Sequence, residues 1–133
     1  MYAEALWAFG LFPEAEQIYN EILAVDPANT SARHGIGRSL AARGQMDEGV
    51  TQLQAAISGE ERPEFYHTLG TVLRRMHRYA EAADALEAYV NHLPQVRRTE
   101  KSDWARSEIR FLRSFGDRVP LQRHPDQLGE VHT

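Results

Sequence analysis

Apolar residues recur along most of the chain at the three- and four-residue spacings of amphipathic helices. Gly10 and Gly44 follow two of these segments, where a left-handed cap residue costs least. Pro13 and Pro63 suit the first turn of the helix that follows each break. The pattern therefore predicts an all-α chain, with helices near residues 1–9, 13–25, 30–43, 47–58, 63–76, 79–92 and 102–115.

The helical pattern repeats with a period of 33 or 34 residues. A shift of 33 aligns the second and third units through Ile36/Leu69, Gly37/Gly70, Leu40/Leu73, Met46/Tyr79, Gly49/Ala82 and Leu53/Leu86. A shift of 34 aligns the first and second units through Leu6/Leu40, Gly10/Gly44, Phe12/Met46, Ala15/Gly49 and Tyr19/Leu53. Small residues that alternate with leucines in this way are typical of helices that pack closely in pairs. We expect three units, at about residues 1–29, 30–62 and 63–96.

Each unit resembles the tetratricopeptide repeat (TPR), a pair of helices with a Leu-Gly step in the first helix and an Ala and a closing Pro in or after the second. The third unit carries the pattern at Tyr66, Leu69, Gly70, Leu73, Tyr79, Ala82, Leu86 and Pro94, and departs from it at Tyr89. The second unit departs at Arg33 and Gly49 and has no closing proline. The resemblance covers roughly residues 1–94 and implies a right-handed α-solenoid of stacked antiparallel helix pairs.

The chain continues past the third unit with one further helical segment. Ser102 and Asp103 offer N-terminal caps, and Gly116 is expected to end the helix. The apolar stripe of this helix comprises Trp104, Ala105, Ile109 and Leu112. We expect it to cap the stack over residues 102–115, which gives a repeat domain of residues 1–116. Residues 117–133 contain two prolines and no periodic pattern, so they are predicted to be extended or disordered.

Composition limits the classes of function. The net charge of −4 argues against general binding of nucleic acid, although residues 1–62 carry four Arg against nine Asp/Glu and residues 97–133 carry eight Lys/Arg against six. The absence of cysteine excludes thiolate chemistry and fits a reducing compartment. No apolar stretch is long enough to predict membrane insertion, so a cytoplasmic location is favoured and the compartment stays open.

No constellation of catalytic or metal-binding residues stands out. The six histidines form no ligand-spaced pair, and the G-x-S-x-G motif of serine hydrolases does not occur. The sequence therefore predicts a protein that is not an enzyme and that binds no cofactor or metal.

The resemblance implies that the first helix of each unit lines a concave groove that holds peptides or helices. The first unit contributes Glu4, Trp7 and Ala8 to it, the second Ser31, His34, Gly35, Arg38 and Ala41, and the third Glu64, His67, Thr68, Thr71, Arg74 and Arg75. The positions expected to contact a partner are Trp7, His34, Arg38, His67, Thr71, Arg74 and Arg75. Because guanidiniums hold carboxylates, an acidic or C-terminal peptide is the favoured ligand.

Some TPR proteins bind the acidic tails of heat-shock chaperones through a clamp of Lys, Asn and Arg. Here the aligned positions hold Glu4, His34, Arg38 and Thr68, so chaperone tails are not expected.

Two functions are consistent with this sequence. The first is a protein-interaction module with a peptide in its groove, and the second is an accessory repeat segment of a larger enzyme or of a secretion or assembly protein. The first helix also leaves apolar surface uncovered at Tyr2, Leu6 and Phe9, from which we expect weak self-association.

Overall fold

The computed structural model describes residues 2–94 and 98–118, which form seven α-helices and no strand. They are α1 (Tyr2–Ala8), α2 (Phe12–Val25), α3 (Thr30–Ala42), α4 (Met46–Gly59), α5 (Pro63–Arg75), α6 (Tyr79–Asn91) and α7 (Arg98–Arg118). The first six helices begin and end within one residue of the predicted positions. Successive helices pack against each other along the whole array, so the all-α solenoid fold is confirmed.

Local sequence accounts for most of the helix ends. The Asn29 side chain caps α3 by accepting a hydrogen bond from the backbone N–H of Ala32 at 2.9 Å. The turns within the three helix pairs each contain one residue with positive φ, at Gly10 (79°), Gly44 (95°) and His77 (64°). These three positions are one repeat period apart, so the third unit places a histidine where the first two use glycine.

The helices of each pair touch through small residues. An added Cβ at Gly37 in α3 would lie 2.8 Å from Leu53 and 2.9 Å from the carbonyl oxygen of Gly49. An added Cβ at Gly49 would lie 2.8 Å from the carbonyl oxygen of Gly37. The backbones of α3 and α4 therefore meet with no room for a side chain at either position. In the third pair, Gly70 faces Leu86 with slightly more space, at 3.0 Å.

The main core runs through the second and third pairs into α7. It is formed by buried alanines, leucines and valines of α3 to α6 and is closed by Leu112 of α7, which is fully buried. Ala105 of α7 is also fully buried, in a neighbouring cluster with Tyr89, Val90 and Leu93. The last helix thus covers α5 and α6, as the next helix of an array would.

The bounds predicted for the last helix are wrong by four residues at its start and by three at its end. The helix begins at Arg98, so Ser102 and Asp103 lie inside it, and Ser102 is buried. The helix also continues through Gly116. The residue before this glycine, Phe115, packs edge-on against Tyr79 with 4.4 Å between ring centroids. Tertiary packing thus overrides cap and breaker residues, whose preferences are weak by comparison. Asp117 and Arg118 of the predicted tail belong to α7, and residues 119–133 lie outside the described residues.

The apolar surface predicted on α1 is exposed only in part. Leu6 is partly buried against the core of the first pair, whereas Phe9 is 82% exposed. The side chain of Tyr2 lies outside the described residues.

Gly37→Ala should destabilise the fold, although alanine normally stabilises a helix relative to glycine by about 1 kcal/mol. The new methyl group would overlap backbone atoms of Gly49, which cannot rotate away, so we expect a loss of about 1–3 kcal/mol in the free energy of unfolding. Urea denaturation followed by circular dichroism measures it. Gly70→Ala is the matched control, because its methyl group meets side-chain atoms of Leu86 at 3.0 Å and no backbone atom closer than 3.4 Å, so we expect a smaller loss there. A loss at Gly37 no larger than that at Gly70 would contradict the packing described here.

Candidate functional site

Side chains of successive first helices meet one repeat period apart. Glu4 of α1 forms an ion pair with Arg38 of α3 at 2.7 Å, and the two residues are 34 positions apart in the sequence. His34 Nε2 of α3 lies 2.8 Å from Thr68 Oγ1 of α5, again 34 positions on. Arg74 Nε of α5 lies 3.3 Å from a carboxylate oxygen of Glu108 in α7. These contacts bring α1, α3, α5 and α7 together on one side of the molecule, which we call the first-helix face.

Arg38 is held at the N-terminal end of this face. Its guanidinium carbon lies 4.0 Å from the ring centroid of Trp7, a cation–π contact, and its Nη2 donates a hydrogen bond to Oε1 of Glu4. Glu4 also accepts a hydrogen bond from the hydroxyl of Tyr19. Burial opposes ionisation of Glu4, but the hydrogen bonds from Tyr19 and Arg38 outweigh it and lower its pKa. Burial and the Glu4 carboxylate raise the pKa of Tyr19 to about 12.

His34 is an uncharged imidazole at neutral pH. Its ring stacks on Phe65 with 4.8 Å between centroids, and Nε2 shares a hydrogen bond with Thr68. Burial, followed by the positive charge of Arg38, lowers the pKa of His34 to about 4. The residue therefore adds hydrogen-bonding capacity to the face without adding charge.

A cleft of about 510 Å³ opens between α3, α5 and the C-terminal end of α6. It brings together three of the predicted site residues, His34, Arg38 and His67, from two different repeats. The remaining lining combines polar and apolar groups and consists of Pro63, Glu64, Thr68, Tyr89, Leu93 and Pro94.

The wall of the face on the α7 side is aromatic. The ring of His67 lies 5.1 Å from that of Tyr89 and 5.6 Å from that of Trp104, and Trp104 is 48% exposed. Thr71 is exposed one turn further along α5 and donates its hydroxyl to the carbonyl oxygen of His67 at 2.9 Å. In the sequence, Trp104 belongs to the predicted apolar stripe of the last helix and Tyr89 stands out only as a departure from the repeat pattern, so neither was included in the site. The repeat period was the signal that was missed, because it places α7 beside α5 as α5 lies beside α3.

Two of the three arginines expected to meet a partner already hold carboxylates of this chain. Arg38 pairs with Glu4 and Arg74 with Glu108, whereas exposed Arg75 makes no ion pair within residues 2–94 and 98–118. The face is consequently less basic than the arginine count implies.

Two further positions expected to line the groove are buried instead. An added Cβ at Gly35 would overlap the ring of Tyr19 at 2.2–2.5 Å, and Ala41 packs against Gly49. These positions hold helices together and are not available to a ligand.

Within the described part of the chain, no three His, Asp or Glu side chains lie close enough together to hold a metal ion. The seven helices described above include none that combines the length and apolarity needed to cross a membrane.

The low pKa of His34 predicts an acid-sensitive fold. Between pH 6.5 and about 4 the unfolded chain binds a proton at this imidazole that the folded chain does not, so stability falls as the pH falls through that window. From pH 7 to pH 5 we expect this group to cost about 2 kcal/mol. His34→Gln, which keeps a hydrogen-bonding group near Thr68, should remove most of that loss in urea denaturation. His77→Asn, at an exposed turn, serves as the control and should retain it. An unchanged pH dependence in His34→Gln would contradict a neutral, buried imidazole.

Comparisons with known proteins agree with the geometry. A family model of the tetratricopeptide repeat matches residues 1–64. A search of curated proteins gives no match. Among solved structures, the chain is similar to the type III secretion translocator chaperone SycD of Yersinia enterocolitica, with a TM-score of 0.76 and 17% sequence identity over 87% of this chain and 81% of that chain. The family match over residues 1–64, the three helix pairs in register and the shared fold together support a protein of the tetratricopeptide repeat family.

Proposed function

We propose that this protein-interaction module holds a segment of a partner protein on its first-helix face, across α3, α5 and α7. The observation that carries the proposal is the cleft in which His34, Arg38 and His67 of two repeats converge. A concavity that draws on two repeats suits a ligand that runs across the array, because such a ligand contacts each repeat in turn. The fold points to a non-catalytic interaction module, and we propose that its role is to bind a partner protein.

The side chains of the face favour a mixed ligand. Trp104 is half exposed and its ring lies 5.6 Å from that of His67, so it offers a supported surface for an apolar side chain. Thr71, one turn along α5 from His67, is exposed, whereas Thr68 is half-buried and hydrogen-bonded to His34. We therefore propose an extended or helical protein segment that carries an apolar residue, and we propose neither nucleic acid nor a small cofactor as the ligand.

The three arginines of the face differ in how readily they can bind an acidic residue of the ligand. Arg75 can bind a carboxylate without breaking any ion pair in the described part of the chain. Arg38 and Arg74 must first release Glu4 and Glu108, which offsets most of the gain from a new pair at an exposed site. We propose that Arg75 makes the main electrostatic contact, and that Arg38 and Arg74 mainly shape the face.

The likeness to SycD favours a second candidate function. That protein is a translocator chaperone of a type III secretion system, and it shares the fold over most of both chains. A chain that holds a client protein before its export, or an accessory repeat segment of a secretion or assembly protein, would use the same face. Isolation of the natural partner separates these roles. An exported client is a secreted protein, whereas a resident assembly component stays with the secretion or assembly machinery.

The face can be tested by photo-crosslinking followed by titration. A photoreactive amino acid at Thr71 should capture the partner from cells, whereas the same amino acid at exposed Gln54 of α4 should not. The captured segment, made as a peptide, should then bind the intact chain in isothermal titration. His67→Ala and Arg75→Ala should each weaken binding by about 1–2 kcal/mol. Gln54→Ala is the matched control and should leave affinity unchanged.

Salt distinguishes the two contacts. Raising the ionic strength should reduce the effect of Arg75→Ala while leaving that of His67→Ala, because only the charged contact is screened. Equal capture from Thr71 and Gln54, or full affinity in both alanine variants, would move the site away from the first-helix face.

A further inference from the structure

An apolar row runs along the outer side of α2. Leu11, Ile18 and Val25 are spaced by seven residues, and Ile22 lies beside them, so all four share one side of the helix. Val25 is 87% exposed, Leu11 42% and Ile22 37%. Ile18 is partly buried against the core of the first pair, so the exposed part of the row consists of Leu11, Ile22 and Val25. Exposed apolar residues are normally scattered on a free helix surface, so even these three are unusual.

The row borders a cleft and two free carboxylates. Ile18 and Ile22 line a cleft of about 310 Å³ together with Ala3, Glu4, Tyr19, Asn29, Ser31 and Ala32. Glu14 and Glu21 are exposed, share the side of α2 next to the row, and form no ion pair within the described residues. We call Leu11, Ile18, Ile22, Val25, Glu14 and Glu21 together the α2 face.

The outer side of α7 carries two exposed aromatic residues and, further around the helix, two exposed arginines. Trp104 and Phe111 are seven residues apart and are 48% and 59% exposed. Arg106 and Arg110 are exposed one turn apart and make no ion pair in the part of the chain that the structure describes. Ser107 and Ser114 fall between the two rows, and Asp103 is the one exposed acid there among the described side chains. We call Trp104, Phe111, Arg106 and Arg110 the α7 face.

We propose that the α7 face of one molecule docks on the α2 face of a second copy of this chain. An aromatic side chain, Phe111 or Trp104, would enter the cleft beside Ile18 and Ile22, while Arg106 and Arg110 would pair with Glu14 and Glu21. The warrant is that the α2 face combines apolar residues with two acids, whereas the α7 face combines exposed aromatic residues with two arginines that lie on the far side of Ser107 and Ser114. The whole chain shares this asymmetry, with four Arg against nine acids in residues 1–62.

This contact joins two different surfaces, so it does not close on itself as a symmetric dimer does. A molecule with its α7 face engaged still offers its α2 face, and assembly continues head to tail. The proposal thus differs from simple association through α1, where Leu6 is partly buried. Trp104 belongs both to the α7 face and to the first-helix face, so a partner bound there would compete with this contact, and the contact is therefore tested on the chain alone.

Sedimentation velocity of the intact chain tests the proposal. From roughly 10 µM to roughly 1 mM, the average mass should rise with concentration and pass that of a dimer, and added salt should reverse the rise. The double variants R106E/R110E and E14R/E21R should each weaken association at least about 30-fold, because both bring like charges together. An equimolar mixture of the two should associate again, since each reversed face meets one of opposite charge.

Every other outcome counts against the proposal. A wild-type chain that stays monomeric throughout the range overturns it. A mass that stops at the dimer, with R106E/R110E unaffected and E14R/E21R monomeric, assigns the contact to two α2 faces instead. A mixture that stays monomeric rejects the pairing of the two faces, provided that circular dichroism shows both variants folded. The exchanged residues form no ion pair among the described side chains, so both variants are expected to fold normally.

Discussion

The fold depends on the contact between Gly37 and Gly49, where the backbones of α3 and α4 meet without an intervening side chain. Helices that approach this closely fix their relative position tightly, and Leu53 then fills the remaining space with no exposure. The same positions in the next pair hold Gly70, Ala82 and Leu86, so the arrangement recurs one period later. Because the pairs have the same geometry, their first helices come to lie side by side.

Contacts on the first-helix face follow from that repetition. Glu4 meets Arg38, His34 meets Thr68 and Arg74 meets Glu108, each across 34 residues of sequence. The period that builds the core therefore also selects which polar side chains meet on the surface. These contacts leave the face with less free charge than its sequence implies, and its aromatic wall at His67 and Trp104 becomes its most prominent exposed feature.

The helices and their pairing could be predicted from the sequence because each unit repeats its small and large residues in register. The last helix was harder, since Ser102 and Asp103 look like caps yet lie inside a helix that packing extends to Arg98. The groove prediction included Gly35, which packs on the ring of Tyr19. Inspection of one unit at a time does not reveal such partners, and the pairing of Arg38 with Glu4 was missed for the same reason.

The central claim is that the first-helix face is the binding surface, and amide hydrogen exchange of the chain with and without its captured partner tests it most directly. The account predicts slower exchange in α3, α5 and the part of α7 around Trp104 when the partner is bound, because ligand contacts suppress local opening there. Exchange in α2 and α4 should stay unchanged. Protection confined to α2 and α4, with α3 and α5 unaffected, would contradict it.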